Sequence, residues 1–310
     1  MKTAFIFPGQ GSQSIGMLSE FHTNFKVVAD IFSLANDTLG YDLWNVIQND
    51  SDKLGQTTYT QVAMLCAGIS CLKVLEQETD ITPEVIAGHS LGEISGLVAG
   101  GVIALENAIK IVDKRANLMQ DAVPKGVGSM AAILGLDDEI IIQTCQEYSD
   151  DGVVEAVNFN ANGQVVIAGN KSAVEKTCAI LKEKGAKRAI ILPVSVPSHS
   201  SLMNNAGAEF LTFLNDFEFK EPSIKILQNV DARHSFEPKI IKEKLAKQLN
   251  NPVLWVKTID NMVKSGITKT IEIGPGKVLS GLNRRINKDI ISKTIFDLKT
   301  LEDIKDIKND

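Results

Sequence analysis

Short apolar runs alternate along this chain with longer segments whose apolar residues recur at helical spacing. Residues 4–7 and 85–87 are apolar runs of strand length, and a glycine-containing turn follows each of them. Residues 60–77 carry apolar side chains three or four positions apart, which predicts a helix that faces the core. A strand, a tight turn and a helix form the repeating unit of a parallel α/β sheet. The first 125 residues therefore predict an α/β domain.

A second region, residues 126–196, has a different order of predicted strands and helices. Its predicted elements follow the order β-α-β-β-α-β, which is the ferredoxin-like pattern. The strands cover residues 129–134, 153–159, 164–168 and 188–194, and the helices begin at residue 137 and cover 172–184. Acidic residues open the first helix and Gly185 ends the second, as expected at helix termini. We expect a small ferredoxin-like domain inserted into a larger one.

The remainder of the chain returns to the first pattern. Residues 239–250 predict a helix, residues 269–273 predict a strand, and residues 278–286 predict a helix after a Gly-Pro-Gly turn. The larger domain would therefore comprise residues 1–125 and 197–310, with residues 126–196 as the insert. The tail from Asp297 is polar and charged, so we expect it to be partly mobile.

Composition narrows the class of protein. The 310 residues are 44% apolar and 23% charged with a formal net charge of −6, and no long basic run points to nucleic acid. The four cysteines form no C-x-x-C pair and are expected to be reduced core thiols. The longest near-apolar run, residues 96–105, is much shorter than the ~20 residues that span a bilayer. We expect a cytoplasmic protein that binds neither nucleic acid nor a membrane.

One turn carries the signature of a nucleophile. Gly88-His89-Ser90-Leu91-Gly92 matches the G-x-S-x-G nucleophile elbow and lies between a predicted strand and an apolar helix. A serine at such a sharp turn needs very small residues two positions before and after it. Its hydroxyl then stands exposed at a helix N-terminus, where backbone N–H groups can stabilise an oxyanion. The alternative is an ordinary β–α turn that happens to contain a serine.

A nucleophilic serine needs a base, and the chain has only four histidines. His89 adjoins Ser90, but neighbouring side chains on a sharp turn usually diverge. His22 and His234 lie in polar segments and are predicted to be surface residues. His199 follows a strand in a loop that two prolines constrain, and it is the best candidate base by elimination.

Two other glycine-rich stretches fail the phosphate-binding patterns. Residues 9–13 lack the third glycine of the dinucleotide fingerprint, and residues 274–277 lack the spacing and the Ser/Thr of a P-loop. Both are predicted to be turns at which the backbone approaches a site or a neighbouring segment. No cluster of His, Cys and carboxylate residues has metal-ligand spacing, so no metal is expected.

Several further motifs accompany the elbow, and together they run over residues 4–286. They are Phe7-Pro8-Gly9-Gln10-Gly11-Ser12-Gln13, Glu93 directly after the elbow, Arg115 with Met119-Gln120, Gly128-Ser129-Met130-Ala131-Ala132, Asn158-Phe159-Asn160, residues 163–169, Val196-Pro197-Ser198-His199, Gln248-Leu249, Asn251-Pro252-Val253 and residues 272–279. With these motifs in this order, the chain closely resembles the malonyl-CoA:acyl carrier protein transacylases of bacterial fatty-acid synthesis. The resemblance implies an α/β-hydrolase-like large domain with a parallel sheet and a ferredoxin-like insert, in agreement with the organisation above.

The resemblance also implies roles for individual residues. Ser90 would be the acylated nucleophile and His199 its base, with the backbone carbonyl of Gln248 orienting the histidine. Backbone N–H groups of Gln10 and Leu91 would form the oxyanion hole, and Gln10 would also contact the substrate. The implied reaction moves a malonyl group from malonyl-CoA to the phosphopantetheine thiol of acyl carrier protein through a malonyl-serine ester. No metal or redox cofactor is implied.

Arg115 would bind the free carboxylate of the malonyl group, and physical chemistry supports that role separately. A guanidinium offers a planar two-pronged donor that fits a carboxylate, which lysine does not. Each unmade charge-assisted bond costs about 1.5–3 kcal/mol. Acetyl-CoA, which has no carboxylate, should therefore react poorly. Without the resemblance, a surface arginine on a helix would be the default interpretation.

The implied carrier partner is acidic, and so is this chain, so docking needs a local basic patch. Two groups are candidates, namely Lys182, Lys184, Lys187 and Arg188 on the insert, and Arg284, Arg285 and Lys288 near the C-terminus. Ordinary solvated helix faces are the alternative for both groups.

We expect a monomer, because a carrier must reach a single cleft. The resemblance leaves open whether the enzyme also accepts a methylmalonyl group, because Ser198 directly precedes His199.

Three other functions compete with malonyl transfer. A serine esterase or thioesterase could use the same elbow, although Arg115 would be superfluous for a neutral acyl chain. A catalytically silent carrier-binding subunit would not need Ser90, Arg115 and His199 together. A transacylase that serves a polyketide assembly line would have the same fold and residues and would differ only in its carrier.

Overall fold

Two separate β-sheets, one parallel and one antiparallel, organise the protein. The computed structural model describes residues 2–148, 152–194 and 196–306. The strands are β1 Lys2–Phe7, β2 Val85–Gly88, β3 Gly128–Leu134, β4 Val154–Ala161, β5 Gln164–Asn170, β6 Arg188–Ile191, β7 Lys225–Leu227, β8 Ile267–Ile273 and β9 Ile291–Ile295.

Helices pack against both sheets. They are α1 Ser19–Asn24, α2 Lys26–Leu39, α3 Leu43–Asn49, α4 Ser51–Leu54, α5 Thr57–Glu78, α6 Gly92–Ala99, α7 Leu105–Asp121, α8 Asp138–Glu147, α9 Lys171–Glu183, α10 Asn204–Leu214, α11 Pro238–Lys247, α12 Trp255–Lys264, α13 Val278–Ile286 and α14 Leu298–Lys305. Short 3₁₀ turns cover Ser201–Met203 and Gln248–Asn250.

The parallel sheet has the strand order β7-β2-β1-β8-β9. Its central strands are apolar because both faces are covered by helices. Phe7 at the end of β1 pairs with Gly88 at the end of β2. The loops that follow these two strands therefore leave the same edge of the sheet side by side, which is where open α/β sheets bind their ligands.

The antiparallel sheet has the order β4-β5-β3-β6, and helices α8 and α9 complete the β-α-β-β-α-β order. All four strands lie between residues 128 and 191, inside the predicted insert, while the exact domain limits stay a prediction. Strand β4 also contacts the rest of the molecule. The Phe159 N–H donates to the Val253 carbonyl at 3.0 Å, and the Val253 N–H donates to the Val157 carbonyl at 2.9 Å. The predicted fold class, a parallel α/β domain with a ferredoxin-like sheet, is confirmed.

Helix α5 lies in the middle of the larger core. It packs against α2, α6 and α7, and its side chains are buried on nearly every side. Among the described residues it is the one helix that is long and apolar enough to cross a bilayer, but 83% of that apolar stretch is buried inside the fold. The four cysteines are free and buried, as predicted.

The structure corrects two predictions about local structure. The tail contains regular structure, because Asp297 and Thr300 form a capping box for helix α14, which buries Leu301 and Ile304, and its partial mobility stays a prediction. Residues 307–310 lie outside the described part of the chain. Strand β6 ends at Ile191 and not at residue 194, close to Pro193, which has no N–H for a strand ladder.

The second correction concerns His22, which was predicted to be a surface residue. It is half-buried, and its ring stacks on Trp44 with the ring centroids 4.0 Å apart. His234 is exposed, as predicted.

Candidate active site

Ser90 stands at the sharp turn between β2 and α6, and its backbone is strained. Its φ is 52°, a left-handed conformation that costs an L-residue about 1–2 kcal/mol. The flanking glycines permit the turn. A Cβ on Gly88 would lie 1.9 Å from Gly92, and a Cβ on Gly92 would lie 2.0 Å from the Phe7 carbonyl oxygen. Very small residues are therefore required at both positions, as the elbow motif predicts.

His199 lies against the Ser90 hydroxyl. Its Nε2 is 2.8 Å from Ser90 Oγ, and its Nδ1 is 2.6 Å from the backbone carbonyl oxygen of Gln248. A carbonyl can only accept, so Nδ1 carries the hydrogen and Nε2 is free to accept the serine proton. Burial, together with the nearby Arg115 charge, lowers the pKa of His199 to about 3. The histidine is therefore neutral and able to act as a base at physiological pH.

Arg115 is buried beside the same hydroxyl, with only 1% of its surface exposed. Its Nη2 donates to Ser90 Oγ at 3.2 Å and to Gln248 Oε1 at 2.8 Å, and its Nη1 donates to Gln61 Oε1. Its Nε has no hydrogen-bond partner among the described residues. Burial lowers the pKa of Arg115 to about 10, so it keeps its charge at neutral pH. A buried guanidinium held by neutral amides and with a free N–H suits an incoming anion.

Two backbone N–H groups are available beside the elbow. Within the described residues, neither the Gln10 nor the Leu91 N–H donates to another group. Leu91 precedes helix α6, so its N–H lies at the positive end of the helix dipole. The loop that carries Gln10 comes very close to the elbow, since a Cβ on Gly9 would lie 2.6 Å from the His89 carbonyl oxygen. Both residues line the cavity in front of Ser90.

That cavity has a volume of about 130 Å³. Ser90, His199 and Arg115 contribute its polar wall. Met130 on β3 and Leu192, directly after β6, contribute apolar surface. Pockets for drug-sized ligands are typically ~300–1,000 Å³, so this space suits a small acyl group. Both sheets thus contribute to the same site.

The remaining motif histidine turns away from Ser90, as predicted. His89 Nε2 is 2.7 Å from Asn160 Oδ1 on β4, and its ring lies against Trp255. Within the described residues, no group of three or more His, Cys, Asp or Glu side chains could hold a metal ion.

Three contributors were given no role in the sequence analysis. Gln61 holds Arg115, and Asn229 accepts the Ser90 N–H at 2.7 Å and donates to the Gly88 carbonyl at 2.7 Å. Glu93 accepts hydrogen bonds from the Asn229 N–H and from Gln248 Nε2, each at 2.8 Å. Glu93 is a lone acid in an apolar helix and Gln61 a polar residue in a core helix, which are the signals that could have found them. Asn229 had no such signal.

A strained serine, a neutral histidine at hydrogen-bond distance and two free N–H groups are typical of enzymes that work through an acyl-serine ester. The comparisons with known proteins agree. Residues 4–296 match the acyl transferase domain family. The malonyl CoA-acyl carrier protein transacylase of Haemophilus influenzae is 45% identical over 307 residues, which cover 98% of each chain.

Solved structures also resemble this chain over nearly its full length. An acyl-carrier-protein S-malonyltransferase from Burkholderia pseudomallei has a TM-score of 0.96 at 47% identity, covering 98% of this chain and 99% of that one. A malonyl-transacylase solved in complex with its type II PKS acyl-carrier protein has a TM-score of 0.97 at 42% identity, covering both chains fully. This chain belongs to the acyl transferase domain family.

Proposed function

We propose that the protein transfers a malonyl group from malonyl-CoA to the phosphopantetheine thiol of acyl carrier protein and so supplies extender units for fatty-acid synthesis. The observation that carries this proposal is the buried Arg115, whose Nη2 lies 3.2 Å from the Ser90 hydroxyl. A cation at that place can hold the far end of a short acyl group while its thioester end reaches the nucleophile. The relatives named malonyl CoA-acyl carrier protein transacylase support the same reaction.

In the first half of the proposed reaction, Ser90 Oγ attacks the thioester carbonyl and gives its proton to His199 Nε2. The carbonyl oxygen becomes an oxyanion, which the N–H groups of Gln10 and Leu91 stabilise. The carbon–sulfur bond then breaks, and the CoA sulfur leaves with the proton from His199. The Gln248 carbonyl stabilises the imidazolium in between, because it accepts from Nδ1.

In the second half, the carrier thiol gives its proton to His199 and attacks the malonyl-serine ester. Ser90 Oγ leaves and recovers the proton, so the enzyme returns to its starting state. The malonyl group thus passes through the serine ester from one thiol to another of similar energy. The reaction needs no metal or redox cofactor.

The proposed carrier surface combines the two basic groups that the sequence suggested. Leu134 on β3 pairs with Gln164 on β5 and with Arg188 on β6, so Gln164 and Arg188 flank it on one face of the sheet. Arg285 donates to Gln164 Oε1 and thereby lies on the same face. Lys184 is already paired with Glu147 at 3.0 Å. The chain continues directly from β6 to Leu192, which lines the cavity. An acidic carrier bound here would be near the cavity.

Intact-protein mass after mixing with malonyl-CoA, before any carrier is added, tests the chemistry. We expect a stoichiometric malonyl adduct that is absent in Ser90→Ala and weak with acetyl-CoA. Arg115→Lys should lower malonyl acylation by about 100-fold or more, because lysine cannot reproduce the forked contact. Continuous CoA release without an adduct would indicate a thioesterase, and neither adduct nor release would indicate a silent subunit.

The carrier surface is tested with the double variant Arg188→Glu/Arg285→Glu. We expect the kcat/KM for carrier to fall by about 10-fold or more and to lose salt dependence, with acylation by malonyl-CoA unchanged. The matched control is Lys26→Glu/Lys73→Glu, which changes the charge equally on α2 and α5. Equal losses in both half-reactions would contradict docking at this surface. Fatty-acid and polyketide carriers, compared in the same assay, identify the partner.

A further inference from the structure

One wholly buried carboxylate takes no part in the proposed chemistry. Glu93 lies on α6 three residues after Ser90 and has no exposed surface. Its carboxylate accepts from the Asn229 N–H at 2.8 Å, from Gln248 Nε2 at 2.8 Å and from Gln228 Nε2 at 3.3 Å. All three partners act as donors here, so the surroundings are built for a carboxylate. Burying a charge costs free energy unless the charged group is hydrogen-bonded or paired.

The most connected of these donors is Gln248. Its Nε2 donates to Glu93 and, at 3.1 Å, to the Ser90 carbonyl oxygen. Its Oε1 accepts from Arg115 Nη2 at 2.8 Å. The amide of Gln248 therefore stands between the Glu93 carboxylate and the Arg115 guanidinium, and it contacts each with the end of the correct polarity.

We propose that Glu93 is a positioning residue that fixes the amide orientation of Gln248 and, through it, the Arg115 guanidinium that receives the carboxylate of the acyl group. This inference rests on the proposed function. In the reversed orientation, Gln248 would place its NH₂ against the Arg115 donors and its oxygen against the Glu93 carboxylate. Both contacts would be repulsive, so the carboxylate selects one orientation.

The same arrangement keeps Arg115 available for substrate. Glu93 is linked to Arg115 through a neutral amide and forms no salt bridge with it within the described part of the chain. Direct pairing would occupy the guanidinium with an internal carboxylate that competes with the substrate. A glutamine at position 248 holds the arginine in place without neutralising it.

The test compares malonyl-CoA with acetyl-CoA in single-turnover acylation at pH 8, with Glu93→Gln as the variant. That pH is above the pKa of Glu93, which burial raises to about 7. A neutral fluorophosphonate that labels Ser90 counts the folded, reactive enzyme. We expect the malonyl rate per labelled site to fall about 10- to 100-fold and the acetyl rate to fall less than about threefold, because only malonyl uses Arg115.

The matched control is Glu272→Gln. Glu272 is also wholly buried, but it accepts from the Leu279 and Ser280 N–H groups at the start of α13, away from the cavity. We expect its malonyl-to-acetyl ratio to equal that of the wild type. A ratio in Glu93→Gln that also equals the wild-type value would overturn the inference, since a merely structural role would affect both acyl donors alike.

A second variant tests the route through Gln248. Gln248→Leu removes the side-chain amide but keeps the backbone carbonyl that orients His199. We expect the same loss of malonyl preference, and no further loss in the double variant with Glu93→Gln. Full additivity, or an unchanged ratio in Gln248→Leu, would overturn the inference. Absence of a malonyl adduct in the wild type would instead refute the proposed function.

Discussion

Two strand-to-helix junctions of the parallel sheet look alike in sequence, but only one of them holds a residue other than glycine in a left-handed conformation. Each has glycines after an apolar strand, and each has a wholly buried glutamate beside the turn. At the β2–α6 junction the left-handed residue is Ser90, with φ 52°. At the β8–α13 junction the left-handed residues are Gly274 and Gly276, which adopt such angles without a side-chain clash.

The two buried glutamates differ in where their hydrogen-bond donors lie along the chain. Glu272 accepts two backbone N–H groups of the helix that follows it, so it stabilises its own junction. Glu93 accepts hydrogen bonds from two side-chain amides and one backbone N–H in other parts of the chain, and it is linked through Gln248 to Arg115. Strain on a residue other than glycine, together with long-range contacts of the acid, distinguishes the candidate active site from a structural turn.

The largest difference between the junctions should appear when a methyl group is added. Gly92→Ala places a Cβ 2.0 Å from the Phe7 carbonyl oxygen, so we expect a loss of about 4 kcal/mol or more, or no folded protein. Gly276→Ala meets nothing closer than 3.4 Å and should lose only about 1–2 kcal/mol from its left-handed φ. Denaturant unfolding measures both, and equal losses would contradict the comparison.

A smaller effect tests the strain at Ser90 itself. Ser90→Gly and Ser90→Ala both remove the hydroxyl, so both should be inactive. Glycine tolerates φ 52° and alanine does not, so we expect Ser90→Gly to be the more stable by about 1 kcal/mol in urea unfolding. If alanine were equally stable, the elbow would not be strained.

The smallest expected effect is the response of the Ser90–His199 pair to pH. Protonation of His199 would remove the base, but its pKa is lowered to about 3, so it stays neutral at pH 5. Labelling of Ser90 by a neutral fluorophosphonate should therefore change less than about threefold between pH 7.5 and pH 5. A half-maximal rate near pH 6.5 would show that the histidine has an ordinary pKa.

The same lowered pKa affects stability with a defined sign. The unfolded chain binds this proton near the ordinary histidine pKa of about 6.5, and the folded chain binds it only near pH 3. The contribution of His199 to the free energy of unfolding therefore falls as the pH drops from 6.5 towards 3. The raised pKa of Glu93 acts in the opposite direction, because its folded state binds the proton first as pH falls from 7.

Local patterns predicted most of the regular structure. The strands at β1, β2 and β8 and the helix at α5 follow from apolar runs and spacing, which depend on neighbouring residues only. Strands β7 and β9 were not predicted, since Lys225–Leu227 is too short for a pattern and β9 is half polar. Helix α14 was not predicted, because its capping box and buried face depend on what the tail packs against.

The sequence by itself determined the elbow and its neighbours. Gly88, Ser90 and Gly92 lie within five positions, and a local motif is enough to specify a sharp turn. The family resemblance then supplied candidate roles for His199, Arg115 and Gln248, which are far from Ser90 along the chain.

Only the tertiary structure decided how those distant residues act together. It brought Gln248 to Arg115 and to His199, made His199 neutral by burial, and added Gln61, Asn229 and Glu93. The reason is that hydrogen-bond partners and burial depend on the distances between atoms in the fold, and residues up to 158 positions apart meet at this one turn.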